Sequence, residues 1–402
     1  ETLDTGRTVY EVKKVMPAST AREPVADLVE RTAARLTGLG RIVAANFGIK
    51  VCAPLSGGYD SRLLLALLSR SGICPSLYVY GDADSPDVRI AREICSGEGI
   101  GIEHRNKTSM PALNLSAFAA HVEQDFNLVD GVSVDGSVFD NGGNAAARDS
   151  LQRGGAITSS GSGGEVFRNF FHLRDRPRRL VDVVHAFYRQ FDPSTAVRAF
   201  DLNGYDAAIA EKMAATLETD LDVVDRRLVE QLYSSFRCRA NLGREISIVG
   251  RYGAYFVPFL EPAVVGSALE IPLSLKGNAR FEALLISRLS PALARYPTVY
   301  GHNVFSPRLT VRLDEALTNM RPMWLRRLNT RLKSRTWPLR DGHGGVLDRE
   351  HLGAVIDLGF PAMRTYFRPE RFRDEGLLRR VALMEYMAKR LSPAAALEPR
   401  LQ

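Results

Sequence analysis

The sequence has little cysteine, only two tryptophans and no long apolar run. Its four cysteines (Cys52, Cys74, Cys95, Cys238) form no Cys-x-x-Cys pair among 402 residues. Scattered in this way, they are expected neither as metal ligands nor as redox residues. Cys52, Cys74 and Cys95 lie among apolar residues and are expected as small buried hydrophobes in a reducing, cytoplasmic setting. No stretch approaches the roughly 20 apolar residues that span a bilayer, so no membrane segment is expected. The opening Glu1-Thr2-Leu3-Asp4 is acidic and polar, unlike a secretion signal, and the absent Met leaves room for residues upstream. There is no internal repeat. A Gly-x-x-x-x-Gly-Lys-Ser/Thr loop is also missing, which excludes the Walker type of γ-phosphate site.

What is present is an ordinary globular composition, 45% hydrophobic and 25% charged. The length allows two or three structural units. The formal net charge is +7. Much of the excess sits in Arg321, Arg326, Arg327, Arg331, Lys333, Arg335 and Arg340, a stretch without acids. A solvated helix face or a site for an acidic partner is the expected reading, ahead of nucleic-acid binding.

Apolar spacing gives a coarse map. Thr8-Val9-Tyr10-Glu11-Val12 reads as a short strand and Pro17 as a turn. Val25, Leu28, Val29, Ala33 and Leu36 form the buried face of a helix starting near Pro24. From about residue 48, short apolar runs alternate with amphipathic helices. Strands are expected at 49–55, 76–80, 100–104 and 156–159. Helices are expected at 61–71, closed by Gly72, at 86–95 with Pro86 in the first turn, and through Phe118, Val122 and Phe126. This alternation predicts an α/β fold, a parallel sheet with flanking helices and right-handed crossovers. Beyond about residue 178 strand signals fade and helical periods dominate, broken by Pro193, Pro258, Pro262, Pro272, Pro291 and Pro297.

The strongest chemical signal is Ser56-Gly57-Gly58-Tyr59-Asp60-Ser61, placed between a buried strand ending at Leu55 and a helix. Two glycines let the backbone approach an anion without Cβ obstruction. Successive N–H groups and the following helix N-terminus form a cradle for phosphate oxygens, to which the Ser56 and Ser61 hydroxyls add donors. Asp60 would repel phosphate unless Mg²⁺ stood between them. Far downstream, Ser160-Gly161-Ser162-Gly163-Gly164-Glu165-Val166-Phe167 repeats the arrangement of strand followed by glycine-rich turn.

The first loop resembles the Ser-Gly-Gly-x-Asp-Ser loop of the ATP-pyrophosphatase superfamily. The second is similar to the Ser-Gly-Glu-Gly-x-Asp-Glu-Leu-Phe segment of asparagine synthetases. Val257-Pro258-Phe259-Leu260-Glu261 and Ala268-Leu269-Glu270-Ile271-Pro272 resemble that family's Val-Pro-Phe-Leu-Asp and Ala-Leu-x-Leu-Pro segments. The resemblance covers roughly residues 25–300. It implies an adenine nucleotide alpha-hydrolase-like ATP-binding domain at 31–300, a lead-in at 1–30 and a mostly helical C-terminal extension at 301–402.

Carried over residue by residue, it implies ATP held by Leu55, Ser56, Gly57, Gly58, Asp60 and Ser61. Val79, Tyr80 and Gly81 would lie at the adenosine, and Gly161, Gly163 and Gly164 against the nucleotide. Mg²⁺ would sit on Asp60 and Glu165, with Glu165 also among the catalytic residues. The family's basic residue at the departing pyrophosphate has Arg280 as its nearest counterpart and Lys276 as a neighbour. Asp84 and Asp87 look like the family's acidic pair before the second helix, with an N-cap alone as the alternative role for at least one of them. His104 matches a family histidine and is expected to be packed and hydrogen-bonded. The run Asp135–Asn144 stands where the family closes over the acyl substrate.

The implied activity is an ATP-dependent carbon–nitrogen ligase. It adenylates a substrate carboxylate with release of pyrophosphate and passes the acyl group to ammonia or an amine. Ser162 replaces the family Glu tied to the acceptor's amino group, which points away from aspartate towards a specialised metabolite, sugar acid or peptide. Family glutaminase domains begin with Cys and this chain begins with Glu1. Ammonia is therefore expected from another chain or from a removed domain, unless the nucleophile is an amine, as in β-lactam synthetases and lasso-peptide cyclases. A glutaminase or carrier partner and a homodimer also fit. The rival readings are a tRNA-modifying enzyme with the same loop and a non-catalytic subunit that keeps the fold.

Overall fold

The computed structural model describes residues 2–4, 7–9, 23–48, 50–106, 111–131, 137–189, 191–305, 317, 348–372 and 374–391. The arginine-rich stretch at 321–340, most of the Thr8–Val12 strand expectation, Asp135 and Gly136 lie outside the described residues.

Five parallel strands form the central sheet: β1 (Val51–Pro54), β2 (Ser76–Tyr80), β3 (Ile102–Arg105), β4 (Ile157–Ser159) and β5 (Tyr255–Phe256). Their order is β3-β2-β1-β4-β5. Val51 pairs with Ile157 on one side of β1, and Cys52 pairs with Ser76 on the other. The chain therefore winds outward in both directions from β1 and β4. In such sheets a crevice opens at the carboxyl ends of the two strands where the winding reverses.

Side-chain alternation divides the sheet faces. Val51, Ala53, Leu77, Val79, Ile157 and Phe256 enter the main core. That core is shared with α1 (Val25–Phe47), α2 (Asp60–Arg70), α3 (Pro86–Glu98) and a later helix, α7 (Arg280–Leu289). Helix α2 is buried on every side, with Leu63, Leu64, Leu65, Leu67 and Leu68 at 1% exposure or less. Burying each of these leucines is worth about 1.5–3 kcal/mol, so the start of α2 is firmly fixed. On the opposite face Tyr78, Tyr80, Thr158 and Tyr255 meet α5 (Gly143–Gln152) and α6 (Leu242–Val249).

A second core joins α4 (Leu115–Leu128) to α8 (Arg349–Val355) and α9 (Glu375–Leu391). Phe118, Val122 and Phe139 pack there against Leu352, Val381 and Tyr386. The described C-terminal residues thus share a core with the strand-bearing part of the chain.

Some expectations need correction. Val25 is 41% exposed, because the buried stripe of α1 starts at Leu28. Helix α3 runs past Cys95 to Glu98, where Gly99 takes a left-handed φ of 67° and ends it. Strand pairing continues beyond residue 178, in β5 and in a two-residue antiparallel ladder of Arg178–Arg179 with Val223–Val224. Among the described residues no helix is long and apolar enough to cross a membrane.

Candidate active site

Both glycine-bearing turns leave the carboxyl ends of neighbouring strands, β1 and β4, at the point where the winding reverses. They touch each other. A Cβ on Gly161 would lie 2.7 Å from the backbone oxygen of Asp60, and one on Gly164 would lie 2.0 Å from its Oδ1. Only glycine allows this approach.

The first turn is held by a set of short bonds. Ser56 N donates to Ser61 Oγ at 2.9 Å, and Gly58 N donates to Ser56 Oγ at 3.3 Å. Gly57 N donates to Asp87 Oδ1 at 2.9 Å, while Gly57 O accepts from Val299 N at 3.1 Å. Asp87 therefore ties α3 to the turn, and Ser85, rather than Asp84 or Asp87, caps α3 by accepting from Val88 N. The segment carrying Val299 is pinned by Arg62, a fully buried guanidinium that donates to Tyr296 O at 2.8 Å and Pro297 O at 2.5 Å. Burial pulls the Arg62 pKa down to about 10, so it stays charged at neutral pH.

The second turn brings acids and one base to the same place. Arg168 donates through Nη2 to Asp60 Oδ1 at 2.6 Å and Oδ2 at 2.5 Å. Its Nε lies 3.3 Å from Glu282 Oε2. Tyr233 donates its hydroxyl to Glu165 Oε2 at 2.7 Å. Three carboxylates, Asp60, Glu165 and Glu282, thus act on one guanidinium.

Burial, aided by Glu165, raises the pKa of Asp60 against the pull of Arg168. Glu282 is completely buried, and burial followed by the Asp60 carboxylate pushes its pKa well above the usual range. Burial would lower Arg168, but Glu282, Asp60 and Glu165 outweigh it and hold the guanidinium charged. Glu282 and Asp60 also share a side-chain hydrogen bond, which raises Glu282 further and pulls Asp60 down. Asp60, Glu165 and Glu282 are hard oxygen ligands of the kind a Mg²⁺-like ion takes, but among the described residues the group of three or more whose donor atoms lie within 4.8 Å of one another is His121, Asp125 and Asp140.

Sequence reasoning missed Arg168 and Glu282. The available signal for Glu282 was its place on the apolar stripe formed by Leu285, Ile286 and Leu289 of α7. An acid at such a position is buried and needs a partner.

The other expected residues have varied settings. Lys276 is 3% exposed and bonds Glu230 Oε2 at 2.8 Å. Burial alone would raise Glu230, but Lys276 and Arg226 outweigh it and hold this carboxyl below its usual range. Arg280 is exposed at the first turn of α7 and has no ion pair among the described residues. Arg168 is therefore the base that the fold brings to the carboxylates. Val79 is buried in the core. Gly81 O accepts from His104 Nε2 at 2.7 Å, which makes His104 a packed, hydrogen-bonded residue. Ser160 and Ser162 join hydroxyls at 2.8 Å.

The described part of the Asp135–Asn144 run serves the fold. Asn141 Oδ1 accepts from Leu113 N at 2.7 Å, and Asp140 accepts from Gly142 N and Asn144 N at 2.9 and 3.1 Å. His121 bridges Asp140 at 3.0 Å and Asp125 at 3.2 Å. The donor atoms of these three lie within 4.8 Å of one another. Bonds to Asp125 and then Asp140 raise His121 to about 9, so the imidazole is charged at neutral pH and pairs with both carboxylates.

A raised histidine contributes stability that is complete below its unfolded value near 6.5 and is lost as pH climbs through about 9. Wild-type stability is thus expected to fall, relative to His121→Gln, by about 3 kcal/mol between pH 6 and pH 10. Urea unfolding of both proteins across that range checks it. A constant difference would exclude the charged bridge.

No protein-family model and no curated protein matches the chain.

Proposed function

We propose that this chain is an ATP-dependent ligase that activates a carboxylate as its adenylate and transfers the acyl group to ammonia or an amine. The supporting observation is the meeting of two glycine-bearing turns at Asp60, on the reversal point of a parallel sheet, beside a carboxylate-rich cluster. This is the arrangement expected of an adenine nucleotide alpha-hydrolase-like domain.

In this reading the turn at 56–61 takes the β- and γ-phosphates of ATP. Asp87 vacates Gly57 N, and the Ser56 and Ser61 hydroxyls turn from each other to phosphate oxygens. Asp60 and Glu165 would hold Mg²⁺, which would supply positive charge to stabilise the departing pyrophosphate. Arg168, released from Asp60, neutralises charge on the departing pyrophosphate, the task that the resemblance assigned to Arg280 or Lys276. A substrate carboxylate oxygen attacks the α-phosphorus in line. The new P–O bond forms as the α,β-bridging P–O bond breaks, and pyrophosphate leaves with that electron pair. Nitrogen then displaces AMP from the acyl carbon. The contribution of the chain is positioning and fixed charge.

The test is carboxylate-dependent exchange of labelled pyrophosphate into ATP by the purified chain across a panel of acids. AMP and pyrophosphate as products support the reading. Formation of ADP and phosphate, or turnover indifferent to every acid, excludes it.

A further inference from the structure

Helix α4 carries His121 and Asp125 one turn apart, so both side chains leave the same face. Asp140, in the chain just ahead of α5, meets them there. His121 Nε2 lies 3.0 Å from Asp140 Oδ1 and 3.2 Å from Asp125 Oδ2. Ligands held about 2.0–2.2 Å from an ion, at tetrahedral or octahedral angles, stand roughly 3.0–3.5 Å apart. The two nitrogen–oxygen spacings therefore suit neighbouring positions on one ion. Asp140 is also fixed from behind, since its two oxygens accept from Gly142 N and Asn144 N. Bonds of that kind hold a ligating carboxylate in place.

The charges point the same way. Asp125 and Asp140 are 8% and 2% exposed, and His121 is the one cation paired with either of them among the described residues. Two carboxylates and a single imidazolium leave one negative charge uncompensated in a place largely closed to water. Buried charge without its counter-charge is costly. A divalent ion beside a neutral imidazole removes the imbalance.

We propose that His121, Asp125 and Asp140 form a binding site for a divalent transition ion, Zn²⁺ foremost, with Co²⁺ as a substitute. One imidazole nitrogen with two carboxylate oxygens suits that class better than Mg²⁺ or Ca²⁺, which take oxygen ligands. Three protein ligands leave at least one coordination position for water. The ion displaces the imidazolium proton to solvent, so the charged bridge described above is the metal-free state of the same site. Bound there, it fastens α4, in the second core, to the residues that open α5 against the sheet. The site is separate from the two glycine-bearing turns and does not depend on the ligase reading.

Calorimetric titration of the chelator-stripped full chain with Zn²⁺ at about pH 8 tests it, and Co²⁺ reports the ligands by its absorption spectrum. One ion per chain is expected to bind saturably. His121→Gln and Asp125→Asn, both close in shape to the original residues, should each weaken it by about a hundredfold or more. Zn²⁺ at roughly a hundred times its Kd should raise the melting temperature of the wild type by about 3 °C or more and leave both variants unmoved. Cys74→Ser removes the exposed thiol and should bind as the wild type does. Circular dichroism shows whether each variant has folded. No saturable binding by the wild type, or undiminished binding by either folded variant, overturns the proposal. A thiolate charge-transfer band in the Co²⁺ complex, or loss of the tight site in Cys74→Ser, assigns the ion to cysteine and overturns it as well. Zn²⁺ binding is expected whether or not the chain exchanges pyrophosphate, so failure of one reading leaves the other standing.

Discussion

Replacing Arg168 with methionine is expected to lower stability by about 1–3 kcal/mol at neutral pH, the cost of leaving partly buried Asp60 and fully buried Glu282 without their cation. Methionine keeps much of the methylene volume, so the loss reports charge more than packing. Arg168 is bonded to Asp60 through both carboxylate oxygens and lies beside the fully buried Glu282. Without it, Asp60, Glu165 and Glu282 repel one another at close quarters.

The pH dependence has a definite sign. Both Asp60 and Glu282 already have raised folded-state values, caused first by burial. An acid raised on folding favours the native state below its unfolded value, near 4, and that support is lost as pH rises through the folded value. Removing Arg168 raises both groups further. The gap between wild type and variant is therefore expected to narrow as pH falls from about 7.5 to about 5, where the variant takes up the protons it lacks. Millimolar Mg²⁺ should restore part of the stability of the variant at neutral pH, because a divalent cation can occupy the vacated charge position. Urea unfolding at several pH values, with and without Mg²⁺, reads both effects. A gap that stays constant or widens towards acid would show that Arg168 acts through packing.

How much of this was legible in the sequence depended on the distance over which each feature is determined. Strands β1, β2 and β4 are short apolar runs bounded by turn residues, and such runs carry their own signal. Strand β5 is only Tyr255–Phe256, set between Gly253 and Pro258, and its pairing with Thr158 and Ser159 leaves no periodicity to read. The helical character of α8 and α9 could be read locally, but their docking onto Phe118 and Val122 of α4 could not. Both glycine-bearing turns were visible, since close backbone approach demands glycine at those positions. The pairing of Arg168 with Asp60 and Glu282 was invisible because its members are far apart in sequence. Arg168 stands in a run of aromatic and apolar residues, Val166-Phe167 before it and Phe170-Phe171 after it. Together with Glu282 on the buried stripe of α7, that placement was a sign of an internal charge network. The basic residue carried over by resemblance, Arg280, sits on the opposite, exposed side of the same helical turn. Resemblance pointed to Arg280, whereas burial shows that Arg168 is the basic side chain that meets the carboxylates.

Gly161→Ala separates a structural glycine from a functional one. Its Cβ would stand 2.7 Å from Asp60 O, 2.8 Å from Asp60 C and 3.0 Å from Ser61 N. All three are backbone atoms of the first turn of α2, a helix whose leucines are fully buried, so α2 cannot move aside. The second turn must instead retreat by about an ångström and carry Glu165 and Arg168 away from Asp60. On the ligase reading, such a displacement is expected to lower carboxylate-dependent pyrophosphate exchange by about a hundredfold. The unfolding free energy should fall by only about 1–3 kcal/mol, in the range of ordinary overpacking. The control is the same chemical change in open space. Gly38, in the interior of α1, has nothing within 4 Å of its would-be Cβ. Gly38→Ala should leave exchange unchanged and add about 0.5–1 kcal/mol of stability through helix propensity. Should Gly161→Ala retain wild-type exchange, contact between the two turns would have no part in the chemistry, and Asp60 would have to be judged by its charge network alone.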